Sequence, residues 1–393
     1  MHKTKNNASL KPGWRRVKFG DVVRLSKARC ADPLTDGVER YVGLEHLEPG
    51  DLRIRNWGNV ADGVTFTSVF KPGQVLFGKR RAYQRKVAVA EFSGVCSGDI
   101  YVMETKDAQI LMPELLPFIC QTDAFFDHAV GTSAGSLSPR TNWTSLADFE
   151  FNLQAIGEQK VRVEMLSALE ELAQNLDDAS NALQRAQQSF FFKLLSVEGS
   201  KVSDRINGLK IVKVGAVTES VVPGRTKPTV FGRGIPWLVT ADLNRPILKE
   251  ATSALRVPEE ELKRVGGKIV PAGAVIITCV GNLGIVSLVE MPCSLNQQLH
   301  AFISKPNVVD PSYLAVALRA QKRQMEGLAN TTTVPYLNKE NCESICIPLP
   351  DDLEEQRRLA AEVLQFDNGR EKLIARRSEL KSMKRRLLGM GTA

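Results

Sequence analysis

Residues 157–195 read GEQKVRVEMLSALEELAQNLDDASNALQRAQQSFFFKLL, and this stretch decides the fold. Its mostly apolar seam residues recur at alternating spacings of three and four, as in a helix that packs against another helix. Gly157 is its only glycine and no proline interrupts it, so the helix is predicted to be continuous. At 1.5 Å per residue it would be roughly 55–60 Å long. The seam consists of Leu166, Leu169, Ala173, Leu176, Ser180, Leu183, Gln187, Phe190 and Leu194, widened by Met165, Leu172, Ala179 and Ala186.

A second stretch of the same character, residues 353–389, is the predicted partner, because a lone helix with an apolar stripe needs one. The two stretches begin alike, with Glu-Gln-Lys at 158–160 and Glu-Gln-Arg at 355–357. They also end alike, with Lys-Leu-Leu at 193–195 and Arg-Leu-Leu at 386–388. The second seam alternates apolar with basic positions and is predicted to be weaker. Its positions are Phe366, Leu373, Leu380 and Leu387, and between them Arg370, Arg377 and Lys384.

The segments that precede the two helices also repeat each other, at an offset of roughly 193–200 residues. Short motifs recur in the same order, and a preserved order indicates duplication more strongly than any single match. The sequence therefore predicts two homologous globular domains, each followed by a long helix. The matched segments are 13–20 with 208–215, 41–47 with 237–243, 72–77 with 272–277, 96–97 with 293–294, 113–116 with 311–314, and 139–142 with 335–338.

The predicted organisation has five parts. They are a first globular domain (1–156), the first long helix (157–195), a linker (196–207), a second globular domain (208–352) and the second long helix (353–389). Residues 269–289 carry no charge, but Gly281-Asn282 divides them into two predicted buried strands, which argues against a membrane span. In the first half, strands are predicted near 14–23, 73–79, 86–92, 99–104 and 148–153, and a helix near 113–130.

Composition bounds the function. The chain has 393 residues, enough for two domains with separate cores, and its net charge of +8 favours a polyanionic partner. Its seven cysteines show no Cys-x-x-Cys pair and its four histidines are scattered, so neither a disulfide framework nor a metal site is predicted. The first segment is polar and basic without an apolar signal region. These features predict a cytoplasmic protein with reduced thiols and no membrane partner.

Motifs for catalysis are missing from the sequence. It has no Pro-Pro pair of the kind that an adenine methyltransferase motif contains, and no Gly-x-x-x-x-Gly-Lys-Ser/Thr phosphate loop. The chain is therefore predicted to be non-catalytic and to need no cofactor. An alternative is a metal-dependent nuclease that uses Asp99, Glu104 and Lys106, although such acid-x-Lys triplets arise by chance in a chain with this many charges.

Two further motifs carry a family resemblance. Residues 345–356 read ICIPLPDDLEEQ and resemble the domain-to-helix junction of the specificity (S) subunits of Type I restriction–modification enzymes. The pattern from Pro271 through Val275-Ile276-Ile277 to Gly284-Ile285-Val286 resembles the target-recognition domain of the same family. The first half departs from the junction motif, because residues 152–156 read NLQAI where Pro-x-Pro would be expected.

The resemblance implies a mixed α/β fold. Two homologous globular α/β target-recognition domains would be separated by two long helices that pair as an antiparallel coiled coil, with approximate two-fold symmetry. Each domain would read one half of a bipartite site in double-stranded DNA. Two methyltransferase (M) subunits would dock on the helices, and restriction/translocase (R) subunits would join this core. The alternative is a coiled-coil scaffold without sequence-specific DNA binding.

The residues predicted to contact DNA lie in matched loops of the two halves. Residues 79–86 combine five cations with an aromatic and an amide residue, which suits phosphate and base-edge contacts, although a solvated charged turn is the alternative. The loop at 131–142 offers small hydroxyl residues, and a plain flexible loop is the alternative there. The second half carries different side chains, which predicts two different half-sites. The candidates are Lys79, Arg80, Arg81, Tyr83, Gln84, Arg85, Lys86, Thr132, Ser133, Arg140 and Asn142, and in the second half Thr240, Asn282, Asn296, Gln297, Gln298, Thr331, Thr332, Tyr336 and Asn338.

Overall fold

The structure is a computed structural model that describes residues 11–195, 197, 205–206, 208–253, 255–330 and 333–389. The chain divides into two compact units. Unit 1 consists of residues 1–176 and 376–393, and unit 2 of residues 177–375. Each unit contains sheets, short helices and one segment of each long helix, so the predicted mixed α/β class is confirmed.

Unit 1 alternates short strands with short helices. Its elements are β1 (Arg15–Lys18), α1 (Phe19–Val22), β2 (Val23–Leu25), β3 (Arg40–Val42), β4 (Gly58–Asn59), β5 (Ser68–Phe70), β6 (Val75–Gly78), β7 (Val87–Val89), β8 (Gly94–Cys96), β9 (Ile100–Thr105), α2 (Leu116–Cys120), α3 (Asp123–Gly131), α4 (Trp143–Ala147), β10 (Glu150–Leu153) and the first part of the long helix α5 (Ile156–Phe190).

Two four-stranded sheets build the globular part of unit 1. One is antiparallel in the order β2-β9-β6-β7, and the other has the order β4-β3-β8-β5 with β3 parallel to β8. Strand β1 pairs separately with β10. Phenylalanine rings fill part of the core, because the rings of Phe19, Phe149 and Phe77 pack with centroids 4.8, 5.2 and 5.6 Å from that of Phe125.

Unit 2 follows the same plan. After the last part of α5 its elements are β11 (Arg205–Ile206), β12 (Leu209–Lys213), α6 (Val214–Val217), β13 (Thr218–Val221), β14 (Ile235–Leu238), β15 (Ile247–Leu248), β16 (Arg256–Val257), α7 (Glu259–Arg264), β17 (Val275–Thr278), β18 (Val286–Val289), β19 (Ser294–Leu295), β20 (Leu299–Ser304), α8 (Pro311–Arg319), α9 (Lys322–Leu328), α10 (Lys339–Ser344), β21 (Cys346–Leu349) and the first part of the long helix α11 (Leu353–Gly389).

Strand pairing supports the predicted duplication. The order β13-β20-β17-β18 in unit 2 corresponds to β2-β9-β6-β7 in unit 1, and the parallel pair β14–β19 corresponds to β3–β8. One backbone hydrogen bond in each unit shows the same equivalence. Phe19 N–H donates to the Phe149 carbonyl at 2.7 Å, and Val214 N–H donates to the Ile345 carbonyl at 2.8 Å.

Two local predictions for unit 1 were wrong. The strand expected near 14–23 is interrupted by α1, because Phe19 and Val22 are both buried and their spacing of three suits a helical turn. The helix expected near 113–130 is divided into a 3₁₀ turn at Pro113–Leu115, α2 and α3. Thr122 separates α2 from α3, since its hydroxyl accepts from Phe125 N–H at 3.2 Å and caps α3.

The uncharged stretch at 269–289 folds as predicted. Strands β17 and β18 pair antiparallel across the turn that contains Gly281, whose φ of +78° suits glycine. None of the helices in the described ranges is long and apolar enough to cross a membrane. The predicted linker falls mostly outside the described residues, apart from Val197 and the short strand β11.

In unit 1 the first part of α5 packs antiparallel against the last part of α11. Arg162 donates to the carbonyls of Leu387 and Leu388 at 2.6 and 2.9 Å, and Lys384 pairs with Glu170 farther along α5. The seam residues Leu166 and Ala173 are buried, with Val163 beside them, and Gln159 is buried one turn earlier. The predicted widening of the seam was wrong, since Met165 and Leu172 in unit 1 and Ala179 and Ala186 in unit 2 are exposed.

In unit 2 the last part of α5 packs antiparallel against the first part of α11. Gln187 donates to Asp367 at 2.8 Å, and Arg370 donates to Gln184 at 3.2 Å. Two basic positions of the second seam are therefore matched by acceptors on the facing helix, Arg370 by Gln184 and, in unit 1, Lys384 by Glu170. The helical segment 191–195 is wound as a π-helix instead of continuing α5 as an α-helix.

One buried glutamine connects each long helix to its globular domain. In unit 2, Gln356 is fully buried, accepts from Asp310 N–H at 2.7 Å, and donates to the carbonyls of Val308 and Pro350 at 3.1 and 2.9 Å. In unit 1, Gln159 makes the same three bonds with the backbone of Met112, Ile110 and Gln154 at 3.0, 2.9 and 2.9 Å. The equivalent connection therefore forms although the first half lacks the Pro-x-Pro motif.

His300 is expected to make the stability of unit 2 depend on pH. The ring is buried in β20 with Nε2 3.1 Å from Ser220 Oγ, and burial lowers its pKa from 6.5 to about 4. The unfolded chain takes up this proton near pH 6.5 while the folded chain resists it, so stability falls as the pH drops from 6.5 toward 4. Urea unfolding at pH 7 and 4.5 should show a smaller acid-induced loss for His300→Gln than for the native chain. Equal losses would contradict this assignment.

Candidate nucleic-acid interface

Three chain segments meet where β6 ends and β9 begins in unit 1. The residues Gly78 and Ile100 pair at this end of the sheet, and the loop between α3 and α4 joins them. We call residues 79–86, 97–99 and 131–142 the unit 1 surface. Backbone hydrogen bonds run from Lys79 N–H to the Asp99 carbonyl (2.9 Å), from Arg81 N–H to the Pro139 carbonyl (2.7 Å), and between Arg140 and Ala134 in both directions (2.9 and 3.0 Å).

One carboxylate in this surface, that of Asp99, holds two of the predicted DNA-contacting arginines. Arg140 donates to it through Nε at 2.7 Å and Nη2 at 3.3 Å, and Arg80 through Nη1 at 3.3 Å. Arg140 first, then Arg80, lowers the pKa of Asp99, so the carboxylate is charged at neutral pH. The side chains of Arg140 and Arg80 are still 50% and 37% exposed. The cluster is therefore solvent-accessible and carries one net positive charge.

The other cations of the basic loop have partners that fix the loop to the fold. Arg85 pairs with Asp123 at 2.7 Å and its guanidinium lies over the Phe126 ring. Lys86 donates to the Leu44 carbonyl at 2.7 Å. Asp99 and Asp123, which lie in other segments of the chain, therefore balance part of the positive charge of this loop. Of the remaining candidates, Lys79 lies over the Tyr101 ring, Arg81 donates to Ser138 Oγ, Tyr83 is exposed and Gln84 is half-buried.

The polar candidates in the 131–142 loop secure helix ends. Thr132 Oγ1 donates to the His128 carbonyl at 2.8 Å, and Ser133 Oγ donates to the Ala129 carbonyl at 2.7 Å. Asn142 accepts from Ser145 N–H at 2.8 Å and caps α4. These side chains shape the surface, and their contact with DNA stays a prediction.

Unit 2 contains a surface with the same arrangement of backbone hydrogen bonds. We call residues 279–284, 296–298, 330 and 333–338 the unit 2 surface. Its backbone hydrogen bonds run from Cys279 N–H to the Gln298 carbonyl (2.8 Å), from Gly281 N–H to the Pro335 carbonyl (2.9 Å), and between Asn330 and Tyr336 in both directions (2.9 and 3.4 Å). Each of these bonds has its counterpart in the unit 1 surface.

The side chains that the unit 2 surface presents at the matched positions are uncharged. Gln298 Oε1 accepts from Thr240 Oγ1 at 3.3 Å and from Asn296 Nδ2 at 3.2 Å. Gln297 donates to the Gly224 carbonyl, and Asn338 caps α10 by accepting from Asn341 N–H at 2.7 Å. Asn282 and Tyr336 are exposed, while Thr331 and Thr332 lie outside the described residues.

The matched positions differ in chemistry. Arg80 lies opposite Arg140 in a short antiparallel bridge, and the equivalent bridge of unit 2 joins Val280 to Tyr336. Asp99 corresponds to Gln298, since each carbonyl accepts the equivalent backbone bond. The two surfaces therefore share one backbone arrangement, but the unit 1 surface presents a charged cluster and the unit 2 surface a neutral one.

The geometry does not bring together the three residues of the nuclease alternative. Asp99 precedes β9 and Glu104 lies near its far end, roughly 16 Å away along an extended strand. Glu104 binds Arg24 and Gln74, whereas Lys106 donates to the Gly20 carbonyl. Within the described part of the chain, no group of three or more His, Cys, Asp or Glu side chains is placed to hold a metal ion.

Sequence reasoning missed two residues of the unit 1 surface as site residues. In the sequence, Asp99 stands out only as part of the nuclease motif, and Ser138, which accepts from both Arg80 and Arg81, is one of several hydroxyl residues in its loop. The sequence match pairs Ser97 with Ser294, which places Asp99 opposite Asn296 and gives no signal for Gln298. The structure instead makes Ser97 equivalent to Asn296, since their N–H groups donate to the Val42 and Leu238 carbonyls, both at 3.0 Å.

Comparisons with known proteins agree with this architecture. A family model described as the Type I restriction modification DNA specificity domain matches residues 217–381. The Type I restriction enzyme MjaVIII specificity subunit of Methanocaldococcus jannaschii is 21% identical over 409 residues, which cover 96% of this chain and 91% of that relative.

The chain resembles the specificity subunits of Type I restriction enzymes.

Further similarities cover different parts of this chain. The EcoDI specificity subunit of Escherichia coli is 27% identical over 194 residues, or 47% of this chain and 41% of that relative. The chain thus spans about two fifths of the length of that curated relative. The solved S subunit from M. genitalium is 14% identical with a TM-score of 0.62, covering 98% of this chain and 97% of that one, and this likeness supports the fold.

Proposed function

We propose that this chain is a Type I specificity subunit and that it reads a bipartite, asymmetric site in double-stranded DNA, with one half-site bound by each unit. The observation that carries the proposal is that the two surfaces share a backbone plan but differ in side chains. Identical readers would bind identical half-sites. The Asp99–Arg80–Arg140 cluster of unit 1 and the neutral Gln298 and Tyr336 of unit 2 favour two different half-sites.

We further propose that the long helices dock two M subunits and set the gap between the half-sites, and that R subunits join through this M–S core. Helices α5 and α11 contain 35 and 37 residues, which is far longer than an ordinary globular helix. In this proposal the subunit does no chemistry, needs no cofactor and acts in the cytoplasm. Its seven cysteines are all free thiols, which suits a reducing compartment.

The purified chain is expected to transfer no methyl group when supplied with S-adenosylmethionine and DNA alone. Mixed with its M subunits, it should form a complex with two M subunits and modify DNA, which mass measurement and a methyl-transfer assay would show. Methyl transfer by the chain alone would contradict the non-catalytic role. Binding of the complex to random and specific duplexes with equal affinity at rising salt would instead favour the scaffold alternative.

Replacement of Arg80 by alanine is expected to weaken DNA binding by the complex. If Arg80 makes a bidentate contact to guanine, its loss should weaken the free energy of DNA binding by about 1–3 kcal/mol. If Arg80 instead contacts a phosphate, its loss should lower the slope of log K against log salt concentration by about one. Affinity measured at several salt concentrations separates the two. Arg16→Ala is the matched control, because Arg16 is an exposed arginine of unit 1 that binds Glu150 at 2.8 Å. If Arg80→Ala behaved like this control, the basic loop would not contact DNA.

A further inference from the structure

The Asp99 cluster offers chemistry for one base in particular. Guanine presents two acceptors, O6 and N7, in the major groove, and arginine is the side chain that most often binds both. An arginine whose guanidinium is already held in one orientation binds a base at lower cost, because a free side chain loses rotamer entropy on binding. An arginine of the unit 1 surface that reads guanine should therefore be both held in one orientation and accessible to DNA.

Arg140 meets both conditions. Its Nε and Nη2 bind the Asp99 carboxylate at 2.7 and 3.3 Å, which fixes the plane of the guanidinium, while half of the side chain is exposed. The backbone at Arg140 is also fixed by the bonds to Ala134. Arg80 is less exposed and divides its donors between Asp99 and Ser138, and its Nε is buried without a partner. Arg85 is engaged with Asp123 and the Gln121 carbonyl.

We propose that Arg140 reads a guanine in the half-site bound by unit 1, with Asp99 as the positioning residue. The proposal rests on the proposed function, because it presumes that unit 1 reads DNA. It also predicts an asymmetry. Tyr336 and Gln298 occupy the equivalent positions in unit 2 and carry no cation, so the half-site bound by unit 2 has no guanine requirement at its equivalent base.

The test is a modified-base map of cells that carry the chain with its M subunits, for the native sequence, Arg140→Gln, Arg140→Lys and Asp99→Asn. The half-site of unit 1 is the one that changes when residues 1–156 are exchanged for another such domain. Arg140→Gln should relax one guanine position in that half-site, with discrimination lowered roughly 5- to 150-fold, and leave every other position intact. Asp99→Asn should relax the same position, and Arg140→Lys should retain part of the preference.

Arg24→Gln is the matched control, since Arg24 is an exposed arginine of unit 1 that donates to Glu104 at 2.8 Å. It should leave the map unchanged. A native map without any bipartite motif would refute the proposed function itself. A bipartite motif without guanine in the unit 1 half-site would refute only the reading by Arg140. Arg140→Gln could instead lower modification equally at all sequences while thermal unfolding stays unchanged. In that case Arg140 contacts a phosphate, and the inference is overturned.

Discussion

Replacement of Gln356 by leucine is expected to destabilise unit 2 by at least about 3 kcal/mol. Leucine fills a similar volume but can neither donate nor accept a hydrogen bond. Asp310 N–H and the carbonyls of Val308 and Pro350 would remain buried without partners, at about 1–3 kcal/mol each. Urea unfolding gives the size of the loss, and hydrogen exchange of peptides from each unit shows where it falls.

The same helix provides the control. Gln365 is exposed on α11, so Gln365→Leu makes the same chemical change without burying an unsatisfied group and should alter stability by less than about 0.5 kcal/mol. Gln159→Leu should reproduce the large loss in unit 1, where the equivalent bonds reach Met112, Ile110 and Gln154. If Gln356→Leu were as mild as Gln365→Leu, this glutamine would not be what fixes the helix to the domain.

Lengthening both long helices by four residues is expected to lengthen the gap in the DNA site while both half-sites keep their sequences. Insertions after Leu176 and after Ala375 fall where the two units divide. Four residues add about 6 Å, nearly two base pairs at about 3.4 Å each. They also add about one turn, so the heptad seam is only modestly rotated. A modified-base map of cells with the variant and its M subunits reads the gap directly.

A four-residue insertion after Gly37 is the control, because this exposed loop lies outside both helices and a Cβ on Gly37 would meet nothing within 4 Å. It should leave the gap unchanged. Exchange of residues 1–156 for another such domain should do the reverse of the helix insertion, changing one half-site and preserving the gap. An insertion that altered a half-site sequence and left the gap alone would contradict the role of the helices as spacers.

Much of the architecture could be predicted from the sequence, because it depends on local periodicity. The heptad spacing that begins at Leu166 predicted the long helix, and the alternation around Val275 and Val286 predicted a strand pair. The prediction failed where an individual contact overrode the pattern. The hydroxyl of Thr122 caps a new helix, and Phe19 is buried against Phe125 of a distant segment, which favours a helical turn.

The unit 1 surface could be predicted only in part. The cations of residues 79–86 are visible in the sequence, but their individual partners are not. Arg85 and Lys86 look equivalent to Arg80 in the sequence, yet in the fold they bind Asp123 and the Leu44 carbonyl. The seam was likewise predicted too wide. Whether Met165 and Leu172 are buried depends on which segments pack against the helix pair, and both side chains are exposed.

The sequence by itself determined the two long helices, since each is encoded by residues near one another in the chain. It also determined the duplicated domains and the order of their loops, since the same motifs recur in the same order in both halves. The tertiary structure alone decided which arginine is both held by a carboxylate and accessible. Asp99 is 19 residues from Arg80 and 41 from Arg140 along the chain. The three meet only because β6, β9 and the loop before α4 converge at one end of a sheet. The position and partners of a charged side chain depend on this convergence, which no local pattern records.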